Sequence, residues 1–520
     1  MIKFIMAKKV NTNNVDFMTE NDVLKAVKSL KSKNCEGHDR IPVRIISDGI
    51  QHLLKPLSYL FSNIYIQKQI PEQWLISKIT PLLKKGNPSN VENYRPISNL
   101  CSCSKIFERL ILQRIKDIEI DQKVDLTGKS QHGFKTKHST LTAGLQVQSL
   151  IASALDGDSY ALMASLDLSA AFDVVDVQLL LKRLEIIGLP DDILILVRNW
   201  LSSRYFYVDI DGKSSYIHET DVGTVQGSIL GPVLYALFVS PILDLEKLTL
   251  FADDNYAIVW NKDKNLLILN MQRKLERITN WLVKSGMKVN ETKTELCLFH
   301  KRDQPPITLV LNNQTLTSKP QMNVLGVSFD SKLNWQTHIS TTIAKAKKSL
   351  NAIYLIKKYF NTDELRTIIT SNYFSVLYYN SEIWHLPSLT LNTKKILMSA
   401  SAAPLKLCTT LYDQNMSFIT LHSITKRATP PQMMKYKLAL QLHKLYNNEN
   451  MSNDWLSLFF NQNFNGRNSK ANFRDTSNHK IGKNLIANRL SILNNEIEYD
   501  WLNLEKESYK LKCKILFLSN

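Results

Sequence analysis

Apolar positions along this chain change spacing several times, from helical to extended and back. In residues 19–30, Val23, Leu24, Val27 and Leu30 share one helix face, with Thr19 placed to cap it and Asp22 three positions on. A turn at Gly37 to Pro42 precedes more helix through Leu60 and Tyr65, after which Pro71, Pro81, Gly86, Pro88 and Pro96 predict a loop-rich region. Residues 160–166 are an apolar run of strand length ending at Asp167. Phe172, Val175, Leu179 and Leu184 then take helical spacing until Gly188-Leu189-Pro190 stops it. A second strand-to-helix passage leads through Gly223 to Pro241. Runs at 248–252 and 256–260 flank Asp253-Asp254 and predict a β-hairpin with two acids at its tip. Leu267, Met271, Leu275, Ile278 and Leu282 predict a helix over 266–285, closed by Gly286. Beyond about Trp335 the pattern is helical and basic. Ile339, Ile343, Ala346, Leu350 and Ile353 form a stripe beside Lys345, Lys347, Lys348, Lys357 and Lys358, and 436–446 is a further helical patch. This alternation places the chain in the α/β or α+β class.

Composition narrows the picture. A chain of 520 residues, 44% hydrophobic and 22% charged, is globular and too long for a single core. Lys and Arg number 65 against 47 Asp and Glu, a formal charge of +18 that suits a polyanionic partner. The cysteines Cys35, Cys101, Cys103, Cys297, Cys408 and Cys513 have neither zinc-site nor redox-pair spacing, so reduced thiols are expected. No signal peptide and no apolar run of about 18 residues is present, so the expectation is an intracellular protein of cytoplasm or nucleus, without a membrane span.

The chemistry that changes the picture most lies in three acids. Two-metal phosphoryl transfer needs carboxylates held rigidly, because the ions sit about 3.5–4 Å apart and align attacking and leaving oxygens. Asp167 closes one apolar run and Asp253-Asp254 occupy a hairpin tip, so the three converge if the two strands are neighbours. Taken alone, each has an ordinary reading: Asp253-Asp254 as a turn and Asp167 as a helix cap.

Their surroundings resemble the reverse transcriptases of LINE-type, non-LTR retrotransposons, including the jockey-like group. Thr80-Pro-Leu-Leu-Lys-Lys-Gly86, Asn93-Tyr-Arg-Pro-Ile-Ser-Asn99 and Ser104-Lys-Ile-Phe-Glu108 resemble the lead-in and first fingers block. Gln131-His-Gly-Phe-Lys135 with Ser139-Thr140 resembles the next, and Ser165-Leu-Asp-Leu-Ser-Ala-Ala-Phe-Asp173 the block carrying the first metal-binding acid. Val225-Gln-Gly-Ser-Ile-Leu-Gly-Pro232 is similar to the block shaping the nucleotide pocket, and Phe251-Ala-Asp-Asp254 to the hallmark acidic turn. Lys293-Thr-Glu295 and Leu325-Gly326 resemble the last two palm blocks. The likeness runs from about Thr19 to Trp335, and more faintly past Trp384.

The resemblance implies an α+β right-hand polymerase with fingers, palm and helical thumb, copying RNA into DNA. It implies a helical extension over 1–70, fingers and palm over 71–334, a thumb over 335–400 and a basic helical region over 401–520. Asp167 and Asp253 would ligate two Mg²⁺ ions, with Mn²⁺ as a substitute, helped by the main-chain carbonyl of Leu168 and tuned by Asp254. Phe172 would lie under the incoming sugar and exclude a 2′-hydroxyl by a clash. Gln226 and Gly227 would contact the nucleotide, Arg95 and Lys135 the template or triphosphate, and Lys293 would protonate leaving pyrophosphate. Leu325, Gly326, Lys345 and Lys348 would meet nucleic acid, so the implied partners are an RNA template, a DNA primer, their hybrid and dNTPs. Lys135 and Val225 depart from the Arg and Pro usual there; Lys loses the two-pronged phosphate grip. The endonuclease common in relatives is not in this sequence, so the expectation is either a truncated copy or one that must borrow a nicked primer. The rival expectations are a nucleic-acid-binding remnant without turnover and a viral-type RNA-copying polymerase. Ala252, where the latter commonly has Gly, and the bulky Phe172 disfavour that last one.

Overall fold

The computed structural model describes residues 18–30, 35–84, 86–122, 124–168, 171–220, 222–386, 388–409, 411–446, 493 and 506–518. Lys85, Ser169 and Ala170 of the motif blocks, and most of the chain after 446, lie outside the described residues.

In chain order the described strands are β1 (Ile76–Leu83), β2 (Tyr94–Asn99), β3 (Tyr160–Leu168), β4 (Arg204–Ile210), β5 (Lys213–Ser214), β6 (His218–Thr220) and β7 (Leu248–Phe251). They continue as β8 (Asp254–Asn261), β9 (Val289–Phe299), β10 (Thr308–Leu311), β11 (Gln314–Lys319), β12 (Gln321–Val324) and β13 (Val327–Asp330). One sheet has the order β2-β1-β4-β5, with β6 added on β4. A second has the order β10-β11-β9-β3-β8-β7, and β12 and β13 form a separate hairpin. With helices between and after them, the class is α+β.

The described residues divide into two compact units. The first draws on Met1–Lys137, Asp167–Asn255 and Glu276–Thr292, the second on His138–Leu166, Tyr256–Leu275 and Lys293–Asn520. In the first, Thr19 and Asp22 form a reciprocal capping box on the helix Glu20–Ser29, as the sequence predicts. Phe61, Trp74 and Phe107 meet pairwise with ring centroids 5.9 to 6.0 Å apart, pinning the helices Ile50–Gln67 and Ser102–Asp121 together. In the second, Phe299, Phe329, Trp335, Tyr373 and Trp384 belong to one buried core. Asp330 starts the helix Gln336–Ile356 by accepting from the main-chain N–H groups of Lys332, Asn334 and Trp335, the last at 2.7 Å.

Two expectations change on inspection. The proline-rich stretch from 71 is not mainly loop: β1 and β2 pair antiparallel with Pro81 opposite Pro96. Neither proline breaks a ladder, because β2 is an edge strand and the parallel pairing of β1 with β4 ends at Ile79. The helix expected directly after Asp167 begins later, at Val177, capped by Asp176 accepting from the Leu179 N–H at 2.8 Å. Phe172 and Val175 therefore sit in the turn before it, where helical spacing is coincidental. The helix Lys264–Lys284 and the hairpin of β7 and β8 lie where the apolar pattern placed them.

Candidate active site

Asp167 is the penultimate residue of β3, and β3 lies beside β8, which opens at Asp254. The condition for convergence of the three acids is thus met, and all three belong to the first unit. β3 is almost wholly buried, so Asp167 is presented from a rigid strand and is half-buried. Asp253 and Asp254 are exposed at a two-residue turn whose first member, Ala252, has φ of 57°. Such a left-handed residue costs an alanine about 1–2 kcal/mol. The acids feel one another. Loss of hydration, then the charges of Asp253 and Asp167, push the Asp254 carboxyl up to about 6.

The loop of the same unit that carries Gln226 and Gly227 is held by main-chain bonds. Thr224 N–H donates to the Phe172 carbonyl at 2.7 Å, and Ser98 N–H of β2 donates to the Gln226 carbonyl at 2.7 Å. The Gln226 amide donates to both Asp173 oxygens, at 2.7 and 2.8 Å. Gly227 has φ of 118°, and a Cβ there would stand 2.4 Å from the Ser98 carbonyl oxygen, so only glycine fits. Phe172 packs on Tyr235 at 4.4 Å between centroids, with Phe134 edge-on at 6.0 Å. The far end of the loop rests on Glu108, a fully buried carboxylate accepting from the N–H groups of Ile229 at 2.7 Å and Leu230 at 3.1 Å.

Residues 82–329 match the family described as reverse transcriptase (RNA-dependent DNA polymerase). That match spans somewhat under half of the chain. The chain is 28% identical over 334 residues to the RNA-directed DNA polymerase from the mobile element jockey of Drosophila melanogaster, covering 62% of this chain and 36% of that protein. It is 30% identical over 339 residues to the jockey polymerase of Drosophila funebris, covering 63% and 36%. To the probable RNA-directed DNA polymerase from transposon BS of Drosophila melanogaster it is 26% identical over 358 residues, covering 66% and 39%. The chain thus spans little more than a third of the length of these relatives. A solved apo telomerase from Candida tropicalis, truncated from its C-terminal domain, aligns with a TM-score of 0.36 at 14% identity over 54% of this chain and 59% of that one.

The remaining expected residues are dispersed. Arg95 is exposed on β2. Lys135 is committed to its own loop, paired with Asp125 and donating to the Gly128 carbonyl at 2.9 Å. Lys293 is exposed on β9 and belongs to the second unit. Leu325 and Gly326 are the two-residue turn of the β12–β13 hairpin, both with positive φ, and the Tyr379 hydroxyl donates to the Leu325 carbonyl at 3.1 Å. Lys345 and Lys348, beyond the matched stretch, are exposed on the helix Gln336–Ile356, whose other face buries Ile339, Ile343, Ala346 and Ile353.

Among the described residues no three His, Cys, Asp or Glu side chains close into a metal cage. The donor set still suits Mg²⁺, which takes hard oxygen ligands and is commonly held by one or two carboxylates plus substrate phosphates and water. Loss of hydration raises Asp254 most, and the further rise that comes from the Asp253 and Asp167 charges is what a divalent cation would relieve. Asp167 and Asp253 would hold it, with Asp254 and the Leu168 carbonyl beside them. Among the described residues no helix is long and apolar enough to cross a membrane.

Three residues of this site went unassigned in the sequence: Gln131, Asp173 and Glu108. Each had a signal. Gln131 opens the Gln-His-Gly-Phe-Lys block, Asp173 closes the block of Asp167, and Glu108 is a lone acid among Ile106, Phe107, Leu110 and Ile111.

Proposed function

We propose that this chain is an RNA-directed DNA polymerase of a non-LTR retrotransposon, extending a DNA primer along an RNA template with dNTPs. The observation that carries the reading is the placement of Asp167 and Asp253-Asp254 at the ends of neighbouring strands, inside the stretch that matches the reverse transcriptase family. Bound Mg²⁺, two ions in this reading and replaceable by Mn²⁺, would supply charge to the attacking and leaving oxygens. The primer 3′-oxygen attacks the α-phosphorus of the dNTP, a new P–O bond forms, and the bond to pyrophosphate breaks.

The chain's own groups orient that exchange. Gly227 lets the loop main chain come close to the nucleotide, Gln226 is held in one rotamer by Asp173, and Phe172 stands as the barrier to a 2′-hydroxyl. Lys293 donates a proton to the departing pyrophosphate. Arg95 and Lys135 face template or triphosphate, with Lys135 first leaving Asp125. Leu325, Gly326, Lys345 and Lys348 track the RNA–DNA hybrid through its phosphates. The fingers and palm span 71–334 after the extension 1–70, with a thumb over 335–400 and a basic region over 401–520.

The test is primer extension on an RNA template with dNTPs and Mg²⁺, comparing the native chain with Asp253→Ala. Extension should fall by at least about a thousandfold, with RNA affinity unchanged. If neither chain extends while both bind RNA with steep salt dependence, the protein is a binding remnant instead.

A further inference from the structure

We propose that Gln131 is a positioning residue for the acidic turn: its buried side-chain oxygen holds Ala252 in the left-handed conformation and so aims Asp253. The inference rests on the polymerase reading of that turn.

The segment before Phe134 runs beside β7. Leu250 N–H donates to the Ser130 carbonyl at 2.9 Å, and His132 N–H donates to the Leu250 carbonyl at 2.8 Å. From this short bridge the Gln131 side chain folds inward, fully buried. Its Oε1 accepts from the N–H of Gly133 at 2.8 Å and from the N–H of Ala252 at 3.2 Å. Only the oxygen of an amide can accept, so two donors fix its orientation. Space is as tight as the bonding, since a Cβ on Gly133 would lie 2.2 Å from the Ala252 nitrogen.

Ala252 needs this help. A two-residue hairpin turn wants positive φ at its first position, where Gly or Asn is the common choice. Alanine has no side-chain group to favour it, so the conformation is imposed from outside. On the other side of the turn, the Asn255 amide donates to the Asp253 carbonyl at 2.8 Å. Asp253 is thus held between two amide side chains, one bonding the residue before it and one its own carbonyl. Ordinary core filling would not need an acceptor aimed at a strained N–H.

The experiment compares the native chain with Gln131→Met, which keeps shape and loses the acceptor. Read together are dNTP extension kinetics, RNA affinity, melting temperature and Mn²⁺ binding followed by electron paramagnetic resonance. Misaiming a reacting group by about 1 Å can cost about a hundredfold, so kcat should fall by that order, with KM and RNA affinity shifting less than about threefold. Mn²⁺ binding should weaken. Adding Ala252→Gly to Gln131→Met should restore about tenfold in kcat together with Mn²⁺ binding, because glycine accepts positive φ without a brace. Rescue by glycine is the signature a merely structural role would lack.

The proposal is overturned if Gln131→Met keeps kcat within threefold, if kcat falls only in step with RNA affinity, or if Ala252→Gly rescues nothing. Should Gln131→Met fail to melt cooperatively, Gln131→Asn serves, since it draws the amide one methylene away from both donors; native-like kcat there overturns the proposal. A native chain that extends nothing removes the polymerase reading alone. Weakened Mn²⁺ binding in Gln131→Met, restored by Ala252→Gly, would still support the brace, and unchanged Mn²⁺ binding would sink it.

Discussion

The acidic turn with its pocket loop and the helix Gln336–Ile356 are held in different ways. In the first, Ser98, Gln131, Asp173 and Glu108 each bond a named atom of the loop or turn, and glycines stand where a methyl group would collide. In the second, an apolar stripe is buried and the lysines project from the exposed face. Polar bonds to single atoms fix position to fractions of an ångström, which reaction geometry demands. A lysine that meets phosphate through charge tolerates far looser placement. Substitutions should therefore hurt the first region through geometry and the second through charge count.

Glu108 tests the polar region most severely after the acids themselves. Burial pushes its carboxyl from the ordinary 4.5 up to about 7, against the Leu230 and Ile229 N–H groups, the Lys105 charge and the Ser104 hydroxyl, which lower it. Below pH 4.5 both folded and unfolded chains carry the proton. Between 4.5 and 7 the unfolded chain releases it while the folded one retains it, so stability falls as pH rises and levels off above about 7. The span is on the order of 3 kcal/mol. Glu108→Gln keeps an acceptor oxygen for the loop and removes the titration. Its melting curve should stay flat where the native chain declines, and parallel curves from pH 5 to 8 would break the account.

Phe172 gives the next largest effect. Phe172→Ala should lower discrimination between dNTP and NTP by about ten- to two-hundredfold, the range a pocket contact of this size supplies. Competing nucleotides in primer extension would measure it, and unchanged selectivity would make Phe172 only a packing partner of Tyr235 and Phe134. The smallest effect belongs to the lysine face. Replacing Lys345 and Lys348 together by Ala should weaken RNA binding a fewfold and flatten the log–log salt slope by about 2, leaving sequence preference alone. An unchanged slope would move the nucleic-acid contact elsewhere.

Much of this organisation was legible in the residues. The capping box at Thr19, the acidic hairpin and the helix ended by Gly286 follow from local rules, because each is decided within a few positions. The nearness of Asp167 to Asp253-Asp254 could only be stated as a condition, since strand adjacency is a long-range fact. Helical spacing at Phe172 and Val175 misled because four apolar residues fit a helix whether or not the first two are in one. Prolines at 81 and 96 misled for a related reason. Their lost N–H groups matter only if a neighbouring strand needs them, and β4 stops short. Gln131 and Glu108 were passed over because a polar residue in an apolar setting shows its purpose only through the main-chain groups it meets.

The adjacency of β3 and β8 has a consequence in time. A nascent chain emerges from the ribosome N-terminus first, and Asp167 is exposed to the cell well before Asp253 has been made. Closing a loop of that length costs entropy that only the finished strand pairing repays. The acids therefore remain apart until translation has passed β8, and a chain abandoned earlier is left without its chemistry.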